Sequence, residues 1–196
     1  MAPVFSIRFP KSEVAEWAKR YSYTQGGDDD TGVLEIGERS RRAGYYTRAD
    51  FLDVCEWKTR GRPRRHYQRN SEEDVRRVTA VSLSSADDET RLWSLVAPGL
   101  RGVQMPTASV LLHLASADPR SPLTAGRAYP IIDFRALWSL NWEGPRRDTF
   151  AFWWAYVRAC RALAVDCGVS MRDLDRALWE YSNQNQPKGK GASCAD

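Results

Sequence analysis

The stretch Pro98-Gly-Leu-Arg-Gly-Val-Gln-Met-Pro-Thr-Ala-Ser109 decides how this chain is read. Before it lies an apolar segment with Leu92, Trp93, Leu95 and Val96; after it comes another with Ala108, Val110, Leu111 and Leu112. Both segments have helical spacing. Two helices joined by so short a glycine-containing turn form a helix–hairpin–helix, here over about residues 87–115. Gly102 permits a tight bend and a close approach of backbone to a ligand. The amides that open the second helix lack intrahelical acceptors, and with the local dipole they suit a phosphate. An ordinary helical hairpin has the same spacing, so this stretch alone does not separate packing from binding.

The remaining sequence also reads as helices. Ser12 precedes a segment with Val14, Trp17, Ala18 and Tyr21 on one face. Thr47-Arg-Ala-Asp50, Ser71-Glu-Glu-Asp74 and Ser170-Met-Arg-Asp173 each fit a capping box, in which side chains satisfy free backbone donors at a helix start. Segments 87–96, 106–115, 133–140 and 149–166 complete a set of about eight helices. Residues 25–30 read as an exposed loop and residues 31–36, Thr-Gly-Val-Leu-Glu-Ile, as one short strand. The expected architecture is all-α: one compact helical bundle over residues 1–182, with 183–196 a disordered polar tail.

A chain of 196 residues is one domain and can bury a core without disulfides or metal. No apolar run approaches the roughly 20 residues of a bilayer span. The first residues carry no basic segment followed by an apolar stretch, so no secretion signal is expected, and the reading is a cytoplasmic bacterial protein. Four scattered cysteines (55, 160, 167, 194) give no disulfide framework, and two histidines (66 and 113) give no His-rich metal centre. Net charge is +4, but 24 of the 29 cations are arginine and eight residues are tryptophan. Arginine binds phosphate bidentately and stacks on rings, which suits nucleic acid; a GC-rich genome gives the same excess.

The hairpin residues Leu100-Arg-Gly102-Val103-Gln104-Met-Pro106-Thr107-Ala108 resemble the Leu-x-Gly-Val-Gly-x-Lys-Thr-Ala hairpin of the helix–hairpin–helix DNA glycosylases. That family has a catalytic Asp shortly after the second helix. Pro130-Ile-Ile-Asp133-Phe-Arg135 stands at the corresponding place, within segment 130–140, after a longer interval to which residues 120–128 contribute. The resemblance implies a glycosylase that flips a damaged or modified base from double-stranded DNA and hydrolyses its N-glycosidic bond, with Asp133 catalytic. Its physical sense is that bond cleavage develops positive charge on the sugar, which a fixed carboxylate stabilises while orienting water. Asp133 also suits a helix N-cap.

Departures from the family carry their own implications. The family's Schiff-base lysine falls on Pro106, which has no amine, so the resemblance implies a monofunctional enzyme without lyase activity. Gln104 replaces the second hairpin glycine. Cys160 and Cys167 repeat one interval of the family's iron–sulfur loop without two further ligands, so no cluster is expected. A monovalent cation at the hairpin is the only cofactor the resemblance allows, and a monomer is the expected state.

Lys58-Thr-Arg60-Gly-Arg62-Pro-Arg64-Arg65-His66-Tyr67-Gln-Arg69 holds six basic residues and no acid. Such a segment supplies phosphate contacts beside Gly102, Val103, Gln104, Pro106 and Thr107. Arg39, Arg41, Arg42 and Arg48 form a weaker cluster. His66 and Tyr67 are candidates to stack on a base, and residues 120–128 are expected beside the acid. For the base pocket the candidates are Trp57, Val110, Arg135, Trp138 and Trp142, since a flipped base needs stacking and polar readout; the other tryptophans read as core. The overall pattern also resembles small bacterial glycosylase-like proteins, some of which act on hypermodified cytosines in phage DNA, so phage defence stands beside repair. Two non-enzymatic readings stay open: a hairpin DNA-binding module and a helical partner-binding protein.

Overall fold

Helix α6 (Met105–Ala115) is apolar on nearly every side, and the other elements are arranged around it. All its residues except Pro106 are buried, as expected for a helix with no polar face. In the computed structural model, which describes residues 3–21, 30–59, 65–96 and 98–187, α6 is one of nine α-helices, and no strand occurs among the described residues. The order is α1 (Val14–Lys19), α2 (Thr31–Ala43), α3 (Arg48–Thr59), α4 (Glu72–Ser84), α5 (Asp88–Leu95), α6, α7 (Phe134–Ser139), α8 (Phe150–Asp166) and α9 (Met171–Asn185). The fold is therefore the all-α bundle that the sequence implies.

Helices α2, α3 and α5 pack on α6, and α4 closes against α5. Helix α9 packs against α1, α7 and α8. The expected caps form: Asp74 N–H donates to Ser71 Oγ at 3.0 Å, Asp173 N–H to Ser170 Oγ at 3.0 Å, and Asp50 N–H to Thr47 Oγ1 at 3.2 Å. Each satisfies one amide that helix geometry leaves free.

The expected strand at 31–36 is instead the first half of α2. Val33, Ile36, Gly37 and Ser40 are buried at spacings of three and four, a helical face that outweighs the local β preference of Val and Ile. Gly37 is needed there, because a Cβ would come 2.5 Å from the Leu114 carbonyl oxygen of α6. Of the loop read as exposed, Asp30 is buried and precedes α2, while residues 25–29 lie outside the described residues. Helix α9 runs through Asn185, three residues into the expected tail, and 188–196 lie outside the described residues.

After α6 the chain loops out and returns as an extended segment, 129–133, antiparallel to the helix. The Tyr129 carbonyl meets His113 Nδ1 at 2.7 Å, and Ile132 N–H donates to Ser109 Oγ at 3.1 Å. Tyr156 of α8 donates its hydroxyl to the Ile131 carbonyl at 2.7 Å from the other side. These contacts fix the backbone that delivers Asp133 to the start of α7.

Candidate functional site

The hairpin turn is held from below by its own apolar residues and from the side by Asn70. Leu100 and Val103 are fully buried, and Gly102 takes φ +82°, a conformation that favours glycine. A Cβ at Gly102 would come 2.8 Å from His66 Cβ, so the turn lies directly on the end of the basic segment. Asn70, itself buried, accepts from Arg101 N–H at 2.8 Å through Oδ1. Its Nδ2 donates to the Arg101 carbonyl at 3.0 Å and to the Tyr67 carbonyl at 2.9 Å. One amide side chain thereby clamps the turn to residues 67–70.

Around this clamp Arg65, His66, Arg69, Arg101, Gly102 and Gln104 are exposed. Arg101 is an exposed cation at the turn that reading by motif passed over. Val103 and Thr107 are buried, and Thr107 Oγ1 meets the Tyr67 hydroxyl at 3.3 Å, so only their backbones can face a phosphate. Pro106, near the start of α6, removes one amide donor. Tyr67 is not available to stack on a base: it is buried edge-on against Phe51 at 6.1 Å. Arg48 is also used internally, donating to the carbonyls of Asn70 at 2.8 Å and Gln68 at 2.9 Å. Arg60, Arg62 and Arg64 lie outside the described residues.

Asp133 caps α7: its Oδ1 accepts from Ala136 N–H at 2.9 Å. Its Oδ2 faces Lys58 Nζ at 3.7 Å, and both side chains keep less than a fifth of their surface exposed (19% and 17%). Lys58, expected among the phosphate contacts, thus belongs to the acid's own site. The two residues line a cavity of about 20 Å³ together with Tyr21, Trp57, Ile131, Arg172, Asp175 and Trp179. That is room for about one water molecule.

Beneath the cavity lies a buried ion network. Arg172 donates to Asp30 through Nε at 3.1 Å, to Asp175, and to the Tyr21 hydroxyl at 3.3 Å. Arg176 donates to the same Asp30 oxygen at 2.9 Å. Burial pushes the Asp175 carboxyl up to about 7; Arg172 opposes this and the Asp133 charge reinforces it. His113 is driven the other way, down to about 3, first by burial and then by the Arg172 charge. Its imidazole is therefore neutral at physiological pH, and Nδ1 carries the proton donated to Tyr129.

Of the expected pocket residues, Trp57 lines the Asp133 cavity and Arg135 stacks on its Trp179 wall, with the guanidinium 4.8 Å from the ring centre. Val110 is fully buried in α6 and does not line the cavity. Trp138 and Trp142 border a separate depression of about 550 Å³ with Phe134, Leu137 and Glu143, and Asp133 does not line it. The 120–128 excursion, expected beside the acid, does not line the Asp133 cavity. It is tied to α8 by Arg161 on the carbonyls of Arg127 and Ala128, and the residue before it, Pro119, accepts from Arg172 N–H at the start of α9 at 2.8 Å. It joins the end of α6 that is remote from the hairpin turn.

Sequence reading missed Tyr21, Ile131, Arg172, Asp175 and Trp179. Arg172, Asp175 and Trp179 recur at spacings of three and four, which aligns them on one helix face; that charged, aromatic stripe was the available signal. No group of His, Cys, Asp or Glu that could hold a metal occurs among the described residues, and none of their helices is long and apolar enough to cross a membrane. Comparison with known protein families, characterised proteins and solved structures finds no match to this chain.

Proposed function

We propose that the protein is a DNA glycosylase that binds duplex DNA through the hairpin and its arginines, extrudes a damaged or modified base and hydrolyses the N-glycosidic bond. The observation that carries this reading is that hairpin and acid share one mounting. The turn enters α6 at Met105, and the segment bearing Asp133 is hydrogen-bonded to Ser109, a rise of about 6 Å along the same helix. A phosphate anchored at the turn therefore keeps a fixed offset from the carboxylate. As the base leaves, Asp133 stabilises the positive charge on the sugar and orients a water towards it.

Tyr21, Trp57 and Trp179 supply the stacking faces that an extruded base requires. A cavity of about 20 Å³ admits water but not a base, so base entry parts the edge-on pair Tyr21–Trp179, whose rings lie 5.5 Å apart. The protein acts as a monomer in the bacterial cytoplasm, on host lesions or on modified phage DNA. A second reading, a non-catalytic hairpin DNA-binding protein, draws on one observation: both Asp133 oxygens already have protein neighbours, Ala136 N–H and Lys58.

The test is a substrate panel: oxidised, alkylated and mismatched duplexes together with phage DNA bearing hypermodified cytosine, with released bases identified by mass spectrometry. Release of one base class supports the glycosylase and identifies its substrate. Binding to the duplexes with no base released from any of them supports the second reading.

A further inference from the structure

Lysine is scarce in this chain, five residues against 24 arginines, yet the cation set against Asp133 is a lysine. Two of the other four, Lys11 and Lys19, are exposed and paired with Asp166 at 3.0 Å and Glu16 at 2.8 Å. The remaining two, Lys188 and Lys190, lie outside the described residues. Lys58 differs on each count. It closes the last turn of α3, is largely buried, lines the cavity at the acid, and stands 3.7 Å from a carboxylate oxygen. An ion pair alone would be served as well by arginine, whose planar fork matches a carboxylate better. What lysine adds is an amine that can lose its proton and attack carbon.

The product of the proposed reaction supplies that carbon. A deoxyribose without its base is a hemiacetal in equilibrium with an open-chain aldehyde at C1′. We propose that Lys58 is an amine nucleophile that condenses with this aldehyde and makes the protein cut the strand 3′ to the abasic sugar. The inference rests on the reading that Asp133 faces the deoxyribose. It goes beyond the absence of lyase chemistry implied by Pro106, because the amine comes from α3 rather than from the hairpin.

The step balances without an oxidant or reductant. Lys58 passes a proton to Asp133, and its nitrogen lone pair adds to C1′ as the carbonyl π bond breaks. Asp133 returns that proton to the carbinolamine hydroxyl, which leaves as water, and a protonated imine remains. Asp133 or solvent takes a proton from C2′, those electrons form the C1′–C2′ enamine, and they return as the C3′–O bond breaks with the phosphate as leaving group. One water then hydrolyses the unsaturated imine, freeing Lys58 and leaving an unsaturated aldehyde on the cut end.

The test uses the full chain and a duplex carrying a single abasic site, so it does not depend on knowing which base is excised. Wild-type protein treated with borohydride during the reaction is expected to form a covalent protein–DNA adduct that peptide mapping assigns to Lys58, and to nick the strand when borohydride is omitted. Lys58→Arg keeps a cation beside Asp133 but is expected to lose both adduct and nicking while still binding the duplex; Lys11→Gln is expected to keep all three. No adduct from the wild type, or an equal adduct from Lys58→Arg, overturns the proposal. An adduct at Lys58 with no base released across the panel would uphold Lys58 and reject the glycosylase reading. Base release without an adduct would do the reverse.

Discussion

Asp133 answers to two demands at once, one oxygen ending the backbone of α7 and the other facing Lys58. Capping and the proposed chemistry are compatible because a carboxylate has lone pairs for both. His113, the other titratable group tied to the same segment, makes a pH prediction. Held down to about 3 from its ordinary 6.5, it stays neutral in the folded protein while the unfolded chain takes up a proton. Its contribution to stability is therefore present above 6.5 and is lost as pH falls through that window, by up to about 1.4 kcal/mol per pH unit. Asp175, pushed up to about 7, acts in the opposite sense and costs stability as pH rises from about 4 to 7. The wild-type-minus-variant difference isolates the histidine: urea midpoints of His113→Asn should fall less steeply than those of the wild type between about pH 6.5 and 4. Equal slopes would mean that His113 is charged in the fold. The Asp133 cap was legible in the sequence because an acid stands directly before a helical segment. Arg172 and Asp175, which pair with each other, were not, because Asp30, the other acid that holds Arg172, lies 142 residues before it and nothing local marks Asp30 as buried.

The hairpin is the element on which the proposed recognition rests, and its rigidity comes from Gly102 and Asn70 together. A Cβ at position 102 meets both a positive φ and the His66 Cβ at 2.8 Å, so Gly102→Ala is expected to cost about 1–3 kcal/mol and lower Tm by several degrees. Asn70→Ala removes three hydrogen bonds at the clamp and is expected to destabilise by a similar amount, about 1–3 kcal/mol. Calorimetry would check both, and a variant as stable as the wild type would show that the turn is not clamped. Elements with a strong local signature were legible: the Ser71 and Ser170 caps and the two hairpin helices fall where their residues indicate. Residues 31–36 misled because Val and Ile favour strands locally, whereas the burial that makes them helical is set by Gly37 against Leu114, far away in the sequence. Residues 120–128 misled for a similar reason, since an insertion's length says nothing about which end of α6 it leaves.

Across the whole molecule, the net charge of +4 conceals a division of labour among the arginines. Arg39, Arg42, Arg76 and Arg77 are taken up by Asp50, Glu38, Glu72 and Asp74 on the same or a neighbouring helix. Arg65, Arg69 and Arg101 are exposed around the hairpin, and none takes a carboxylate among the described residues. Phosphate contacts release counterions, so replacing all three with Gln should weaken binding uniformly across sequences and lower the salt slope of DNA affinity by about three, one for each contact removed. An unchanged slope in fluorescence anisotropy would place the DNA on another face. The proposed activity turns on the carboxylate that this surface would present to a sugar. Single-turnover base release from the panel's best substrate, wild type against Asp133→Asn, tests it most directly. Asn still caps α7 and leaves the fold intact, so the expected rate is lower by about 10²–10⁴-fold with DNA affinity retained; equal rates for the two proteins would remove Asp133 from the chemistry.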